Sequence, residues 1–175
     1  MNIGIDKIGF YTPPFALSME DLAVERGVEP AKYTVGIGQS TMAVAPVTQD
    51  IVTMGANAAI GILDEADKEA IDMILVGTET GIDQSKSAAV YIQKLLGLSN
   101  RVRSVELKHA CYGATAALQL AKGHIALNPE SKVLVIASDI AKYGLNSGGE
   151  PTQGAGAVAM IVSSDPRLLV LENET

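Results

Sequence analysis

The sequence has no tryptophan, only two phenylalanines and five tyrosines, and a single cysteine among 175 residues. One cysteine cannot form an internal disulfide, so stability has to come from packing, and the cytoplasm is the expected compartment. Lys and Arg form no run that could track phosphates, and the net charge is −7, which argues against nucleic acid as a partner. No apolar stretch reaches the ~18 residues that a membrane span needs. The opening Met1-Asn2-Ile3-Gly4-Ile5-Asp6-Lys7 lacks the basic, apolar and small-residue order of a secretory signal. His, Cys and acidic residues never fall at metal-ligand spacing, so no metal site is expected. Gly36-Ile37-Gly38 and Gly154-Ala155-Gly156 do not follow a strand and open a helix as a dinucleotide loop must; both are read as close-packed backbone, and no cofactor is expected.

What is present is 47% hydrophobic residues and 17 glycines, with much Ala and Val, a composition that suits layered α/β packing of small side chains. Residues 3–10 alternate as a first strand and stop at Pro13-Pro14. Ser18, with Asp21 three residues on, caps a short helix that reaches about Arg26-Gly27. Residues 32–45 read as an ordered loop with room for a short strand. Thr48 is the expected cap of the next helix, whose Ile51, Met54, Ala58, Ile62 and Ala66 share one face. Residues 71–77 are nearly all apolar, as in a strand covered on both faces, and Ser85 or Ser87 opens a helix that stops at Gly97. A strand at 102–107, a helix at 112–127, and strands at 132–138, 154–163 and 167–171 complete the order. Strands alternating with helices imply parallel pairing through crossovers, with helices on both sheet faces. Residues 1–175 are treated as one domain.

Cys111 lies between the strand ending near Leu107 and the helix beginning at Tyr112 or Gly113, which puts its sulfur at a helix N-terminus. Unpaired N–H groups and the helix dipole there stabilise thiolate over thiol, and the same N–H groups can hold an oxyanion. The alternative is an ordinary buried cysteine acting as a small hydrophobe. Glu79, in Gly77-Thr78-Glu79-Thr80-Gly81, follows the carboxyl end of an apolar strand, where open α/β sheets place their sites; it is either a general base or a cap or loop acid. Asp83 reads as a cap or loop residue. His109 would need the chain to fold back to reach Cys111 and reads as structural, while His124 lies about three turns down the helix and reads as a surface residue.

Four stretches carry a resemblance: Gly4-Ile5-Asp6-Lys7-Ile8, Val76-Gly77-Thr78-Glu79-Thr80-Gly81, Lys108-His109-Ala110-Cys111-Tyr112-Gly113-Ala114-Thr115, and Pro151-Thr152-Gln153-Gly154-Ala155-Gly156-Ala157-Val158-Ala159-Met160. In this order they resemble the hydroxymethylglutaryl-CoA synthase family, particularly its bacterial branch. The resemblance implies an α/β, thiolase-like fold, one half of a duplicated architecture, with a mixed five-stranded sheet and helices on both faces. It implies a Claisen-type condensation of acetyl-CoA with acetoacetyl-CoA in the mevalonate route, both being substrates rather than cofactors. Cys111 then takes the acetyl group as a thioester and Glu79 removes its methyl proton. Tyr143 and Thr152 match positions lining the acetoacetyl pocket, and the strand at 102–107 matches the one through which family members form homodimers. Family chains are roughly twice this length. The 175 residues therefore correspond to an N-terminal half with little or no turnover alone, the carbonyl-polarising histidine belonging to the other half. Two other readings stay open: a ketoacyl-ACP synthase or polyketide β-branching relative using carrier-protein thioesters, and a non-catalytic assembly domain.

Overall fold

The alternation of Ile3, Ile5, Ile8 and Phe10 becomes strand β1, Ile3–Tyr11, in the computed structural model, which describes residues 1–172. Pro13 and Pro14 end its pairing, yet the chain stays extended and enters β2, Phe15–Ser18, which pairs antiparallel with β3, Thr41–Val44. Ser18 caps helix α1, Met19–Glu25, by accepting the amide of Asp21 at 3.3 Å, as its spacing predicts. The 32–45 segment is more regular than a loop: Lys32–Ile37 forms a π-helix closed by Gly38, whose φ of 78° suits a residue without a side chain. A Cβ at Gly36 or Gly38 would have room, so this pair is not close-packed backbone.

Helix α2, Ile51–Ile60, corrects two expectations. Its cap is Asp50, not Thr48, because Asp50 and Thr53 bond each other's backbone reciprocally. It also stops before Ile62: Gly61 ends it, and a second reciprocal pair, Asp64 with Asp67, starts α3, Glu65–Ala70, which takes Ala66. Next come β4, Ile71–Thr78, α4, Ala88–Leu95, and β5, Arg103–Lys108. Ser87 is the cap of α4, and Gly97 follows its end at a φ of 67°. After a 3-10 turn, Ala110–Tyr112, come α5, Gly113–Leu127, β6, Lys132–Ala141, β7, Gly154–Ser164, and β8, Leu169–Val170.

The main sheet runs β5-β4-β6-β7-β1-β8, six strands rather than five. The sixth, β8, is the strand expected at 167–171, only two residues long; it reaches the free edge of β1 opposite Gly4, where a Cβ would sit 1.8 Å from the Leu169 carbonyl oxygen, so glycine there makes room for it. Strands β4, β5 and β6 are parallel, and β7, β1 and β8 follow antiparallel, so the sheet is mixed. Helices α2 and α4 cover one face through Ile51, Met54 and Ile92 against Ile74 and Ile136. Helix α5 covers the other through Ala117, Ala121 and Ile125 against Leu75, Val133 and Val135. No helix among the described residues is long and apolar enough to cross a membrane.

The two ends of the sheet differ. At the amino ends of β4 and β6, Lys7 and Lys132 both pair with the buried Asp67, Lys7 also meets Asp64 at 2.8 Å, and Arg167 grips Asp6. Burial works against the charge of Asp67, but Lys132 and Lys7 outweigh it and its carboxyl is held below the usual range. A charged cavity of about 530 Å³ opens there, its cations already matched by carboxylates. At the carboxyl ends, α5 is drawn onto β4. A Cβ on Gly77 would lie 2.3 Å from the Ala114 nitrogen, and one on Gly113 would lie 2.8 Å from the Leu107 carbonyl oxygen.

Both contacts are with backbone, so neither can relax by a rotamer change. Gly77→Ala is expected to lower stability by about 3 kcal/mol, at the upper end for overpacking. Gly123, farther along α5 with open space where a Cβ would go, should instead gain about 1 kcal/mol on Gly123→Ala. Urea unfolding of the two variants checks both signs; equal shifts would mean that the close approach does not bear on stability.

Candidate active site

Glu79 is the first residue beyond β4, and the Cys111 turn begins two residues beyond β5. The strands pair in parallel with Thr78 opposite Lys108, so both residues leave the sheet at the same edge from neighbouring strands. Loop 142–153 carries Tyr143 and Thr152 and joins β6 to β7 at this edge, where Ala141 pairs with Gly154. All four sequence-nominated residues therefore gather at the carboxyl edge of the parallel strands, the expected place for a site.

Cys111 is exposed, which removes the reading of a buried hydrophobe. It sits in the 3-10 turn just ahead of α5, after Ala110, whose φ is 20°. The amides of Tyr112 and Gly113 both donate to the His109 carbonyl oxygen, at 2.9 and 2.6 Å. Those two N–H groups are already engaged, so an oxyanion in this turn would need other donors. His109 folds back on Tyr112 rather than on the sulfur, with ring centroids 5.2 Å apart in an edge-to-face arrangement. His124 is not a surface residue as expected: its side chain is largely buried and its Nε2 lies 2.9 Å from Asp72 Oδ1 near the start of β4, at the opposite end of the sheet.

Glu79 is half-buried and caps no helix. Its backbone is fixed by a residue that sequence reasoning missed, Asp139 on β6. Asp139 Oδ1 accepts four bonds: from Thr78 Oγ1 at 2.8 Å, the Glu79 amide at 2.7 Å, the Thr80 amide at 3.2 Å and Thr80 Oγ1 at 3.0 Å. Thr80 Oγ1 in turn accepts the Ile140 amide. A carboxylate with four converging donors is a strong organiser of a short turn. The clue was an acid closing the most β-like run in the chain. Beside Asp139 lies a mainly apolar cavity of about 390 Å³, lined among others by Phe10, Thr12, Ala137, Gly156 and Val158.

Glu106 on β5 braces the same loop from the other side: Oε2 accepts the Ala88 amide at 2.7 Å, and a Cβ on Gly81 would meet Oε1 at 2.4 Å. Asp83 tightens the loop by accepting the Ser85 and Lys86 amides, as a loop acid should. Loop 142–153 is organised likewise. Thr152 Oγ1 donates to the Gly149 carbonyl, Gln153 Oε1 accepts the Tyr143 amide, and the Tyr143 side chain packs where a Cβ on Gly149 would sit. Buried Glu150 accepts Arg26 Nε and Nη2, both at 2.7 Å, and the Asn146 amide at 2.8 Å. The Arg26 bonds outweigh burial and, with Asn146, bring the Glu150 carboxyl from the ordinary 4.5 down to about 2.

A protein-family model described as the hydroxymethylglutaryl-coenzyme A synthase N terminal matches residues 1–166. The chain is 63% identical over 174 residues to a hydroxymethylglutaryl-CoA synthase of Enterococcus faecalis, covering 99% of this chain and 45% of that one. It is 35% identical to a polyketide biosynthesis 3-hydroxy-3-methylglutaryl-ACP synthase of Bacillus subtilis, over 98% of this chain and 44% of that one. A crystal structure of a hydroxymethylglutaryl-CoA synthase complexed with CoA superposes with a TM-score of 0.97 at 52% identity, over 99% of this chain and 45% of the other. The chain thus spans less than half the length of these relatives.

The lowered Glu150 carboxyl gives loop 142–153 a pH signature. Because the folded value lies below the unfolded one, its contribution is complete above about 4.5 and is lost as pH falls through about 2. The stability gap between the native chain and Glu150→Gln should therefore shrink steadily across that window in acid titrations followed by urea unfolding. A gap that stays constant with pH would contradict the assignment.

Proposed function

The chain belongs to the hydroxymethylglutaryl-CoA synthase family, and from that membership we propose that it carries the acetyl-transfer and proton-abstraction groups of a condensing enzyme. The observation that carries the reading is the exposed cysteine and the half-buried glutamate leaving adjacent parallel strands at one edge. Cys111 Sγ attacks the acetyl-CoA carbonyl, the C–S bond to CoA breaks, and CoA leaves as its thiol with the proton that the cysteine gives up. Glu79 then removes a methyl proton from the acetyl-cysteine, and the resulting carbanion adds to the ketone of acetoacetyl-CoA. Protonation of the alkoxide and hydrolysis of the cysteine thioester release hydroxymethylglutaryl-CoA and the free thiol, the condensation of the mevalonate route. Tyr143 and Thr152, on the loop across the edge, line the acceptor side.

The condensation also needs a group to polarise the acceptor ketone. The sequence holds two histidines; His109 meets Tyr112 edge to face and His124 is held by Asp72 at the far end of the sheet. The chain by itself accordingly takes up acetyl without completing turnover. Similarity to a polyketide HMG-ACP synthase favours a second reading in which carrier-protein thioesters serve as substrates, but the higher identity to the CoA enzyme supports CoA. A soluble cytoplasmic protein suits both.

Incubation with acetyl-CoA should add one acetyl group, located to Cys111 by peptide mass spectrometry. In deuterium oxide its methyl group should take up deuterium, about 100-fold more slowly in Glu79→Gln, the lower range for loss of a general base. No adduct on folded protein would leave the assembly-domain reading standing; an adduct whose exchange ignores Glu79→Gln would sink the base assignment.

We also propose that two copies pair through β5, the terminal strand of the sheet, whose Val105 is 44% exposed. Val105→Lys should convert a dimer to a monomer in sedimentation velocity; a native monomer, or a variant that stays dimeric, would count against this edge.

A further inference from the structure

Loop 142–153 brings Tyr143 and Thr152 to the site, yet most of its bonds are internal to the loop. The exception reaches across 124 positions of sequence to Arg26, at the C-terminal cap of α1. The contact is two-pronged: Nε and Nη2 each meet a different oxygen of Glu150 at 2.7 Å. Glu150 is 4% exposed, so the carboxylate could not stay charged there without its partner. Its third bond, from the Asn146 amide, turns the loop back on itself between Tyr143 and Thr152. The fork geometry fixes direction as well as distance, which a single ammonium contact would not do. The small unit of α1, the π-helix and the β2–β3 pair, with its own core of Met19, Leu22, Tyr33 and Met42, is thereby tied to one wall of the site.

We propose that Arg26 and Glu150 are positioning residues for the acceptor side, setting the geometry of Tyr143 and Thr152 and hence the preference for an acetoacetyl thioester, while Cys111 acylation depends on β4, β5 and α5. The inference rests on the reading of the site given above. Removing the pair should split the two half-reactions: acceptor recognition falls far more than acetyl transfer.

The measurement is the rate of Cys111 acetylation by acetyl-CoA, with acetoacetyl-CoA or free CoA added as competitor. The ratio of their inhibitory strengths isolates recognition of the acetoacetyl group from that of CoA. In Arg26→Lys, which keeps the charge but loses the fork, and in Glu150→Gln, this ratio should fall roughly tenfold, within the range seen when a coupled pair is broken. Acetylation without competitor should change much less. The exchanged pair, Arg26→Glu with Glu150→Arg, should recover part of the ratio. Should Glu150→Gln fail to fold, Arg26→Lys and the exchanged pair carry the comparison. An unchanged ratio in folded variants, or a ratio and a rate that fall together, overturns the positioning role. A native chain that acetylates Cys111 but does not distinguish acetoacetyl-CoA from CoA overturns the acceptor reading instead, and this inference with it.

Discussion

The backbone of α5 lies almost in contact with the backbone of β4, and the site depends on that approach. At Gly77 and Gly113 no side chain intervenes between helix and strand, and the gap left is too small for one. The first turn of α5 is thereby fixed against the strand end that delivers Glu79, and the turn bearing Cys111 is fixed with it. Small residues continue the seam along α5, where Ala117 and Ala121 are fully buried against the sheet. A larger residue at either glycine would lift the helix and shift Cys111 relative to Glu79 by more than the half-ångström tolerance that preorganised chemistry allows. The glycines that matter here are thus a distance constraint rather than a source of flexibility.

Around this fixed centre three carboxylates organise the loops, and none of them is a nominated catalytic group. Asp139 gathers the turn at 78–80, Glu106 braces the chain leading into α4, and Glu150 anchors loop 142–153. Loops at the carboxyl edge of a sheet have backbone amides with no ladder to join, and buried or half-buried carboxylates satisfy several of them at once. At the amino edge, acids are instead consumed in ion pairs with Lys7, Lys132 and Arg167. The roomier charged cavity at that edge therefore has its charges matched, whereas the edge bearing Cys111 is held mainly by carboxylate–amide hydrogen bonds, with the Arg26–Glu150 ion pair beside them, and leaves the thiol exposed.

Much of this was readable from residue pattern. The buried strands around Val76 and Leu134 and the stripe along α5 follow from apolar periodicity, and the positions of Glu79 and Cys111 follow from strand ends. Element starts were less legible where two cap candidates compete: Asp50 displaced Thr48 as the α2 cap because a carboxylate paired reciprocally with Thr53 satisfies more of the helix end than a lone hydroxyl. The π-helix at 32–37 carries no periodic signal, and the strand read at 167–171 shrinks to the two-residue β8. The roles of Asp139, Glu106 and Glu150 were hidden because the partners that define them lie mostly far away in sequence, the position of Asp139 at the end of a strong strand being the one hint, and His124 looked like a surface residue because Asp72 is 52 positions distant.

The central claim is that Gly77 and Gly113 bring Cys111 and Glu79 together over one acetyl group. A crystal structure of the chain after incubation with acetyl-CoA tests it most directly. The account predicts an acetyl thioester on Cys111 Sγ with its methyl carbon in contact with the Glu79 carboxylate. An acetyl group on another residue, or one on Cys111 whose methyl carbon lies out of reach of Glu79, would contradict it.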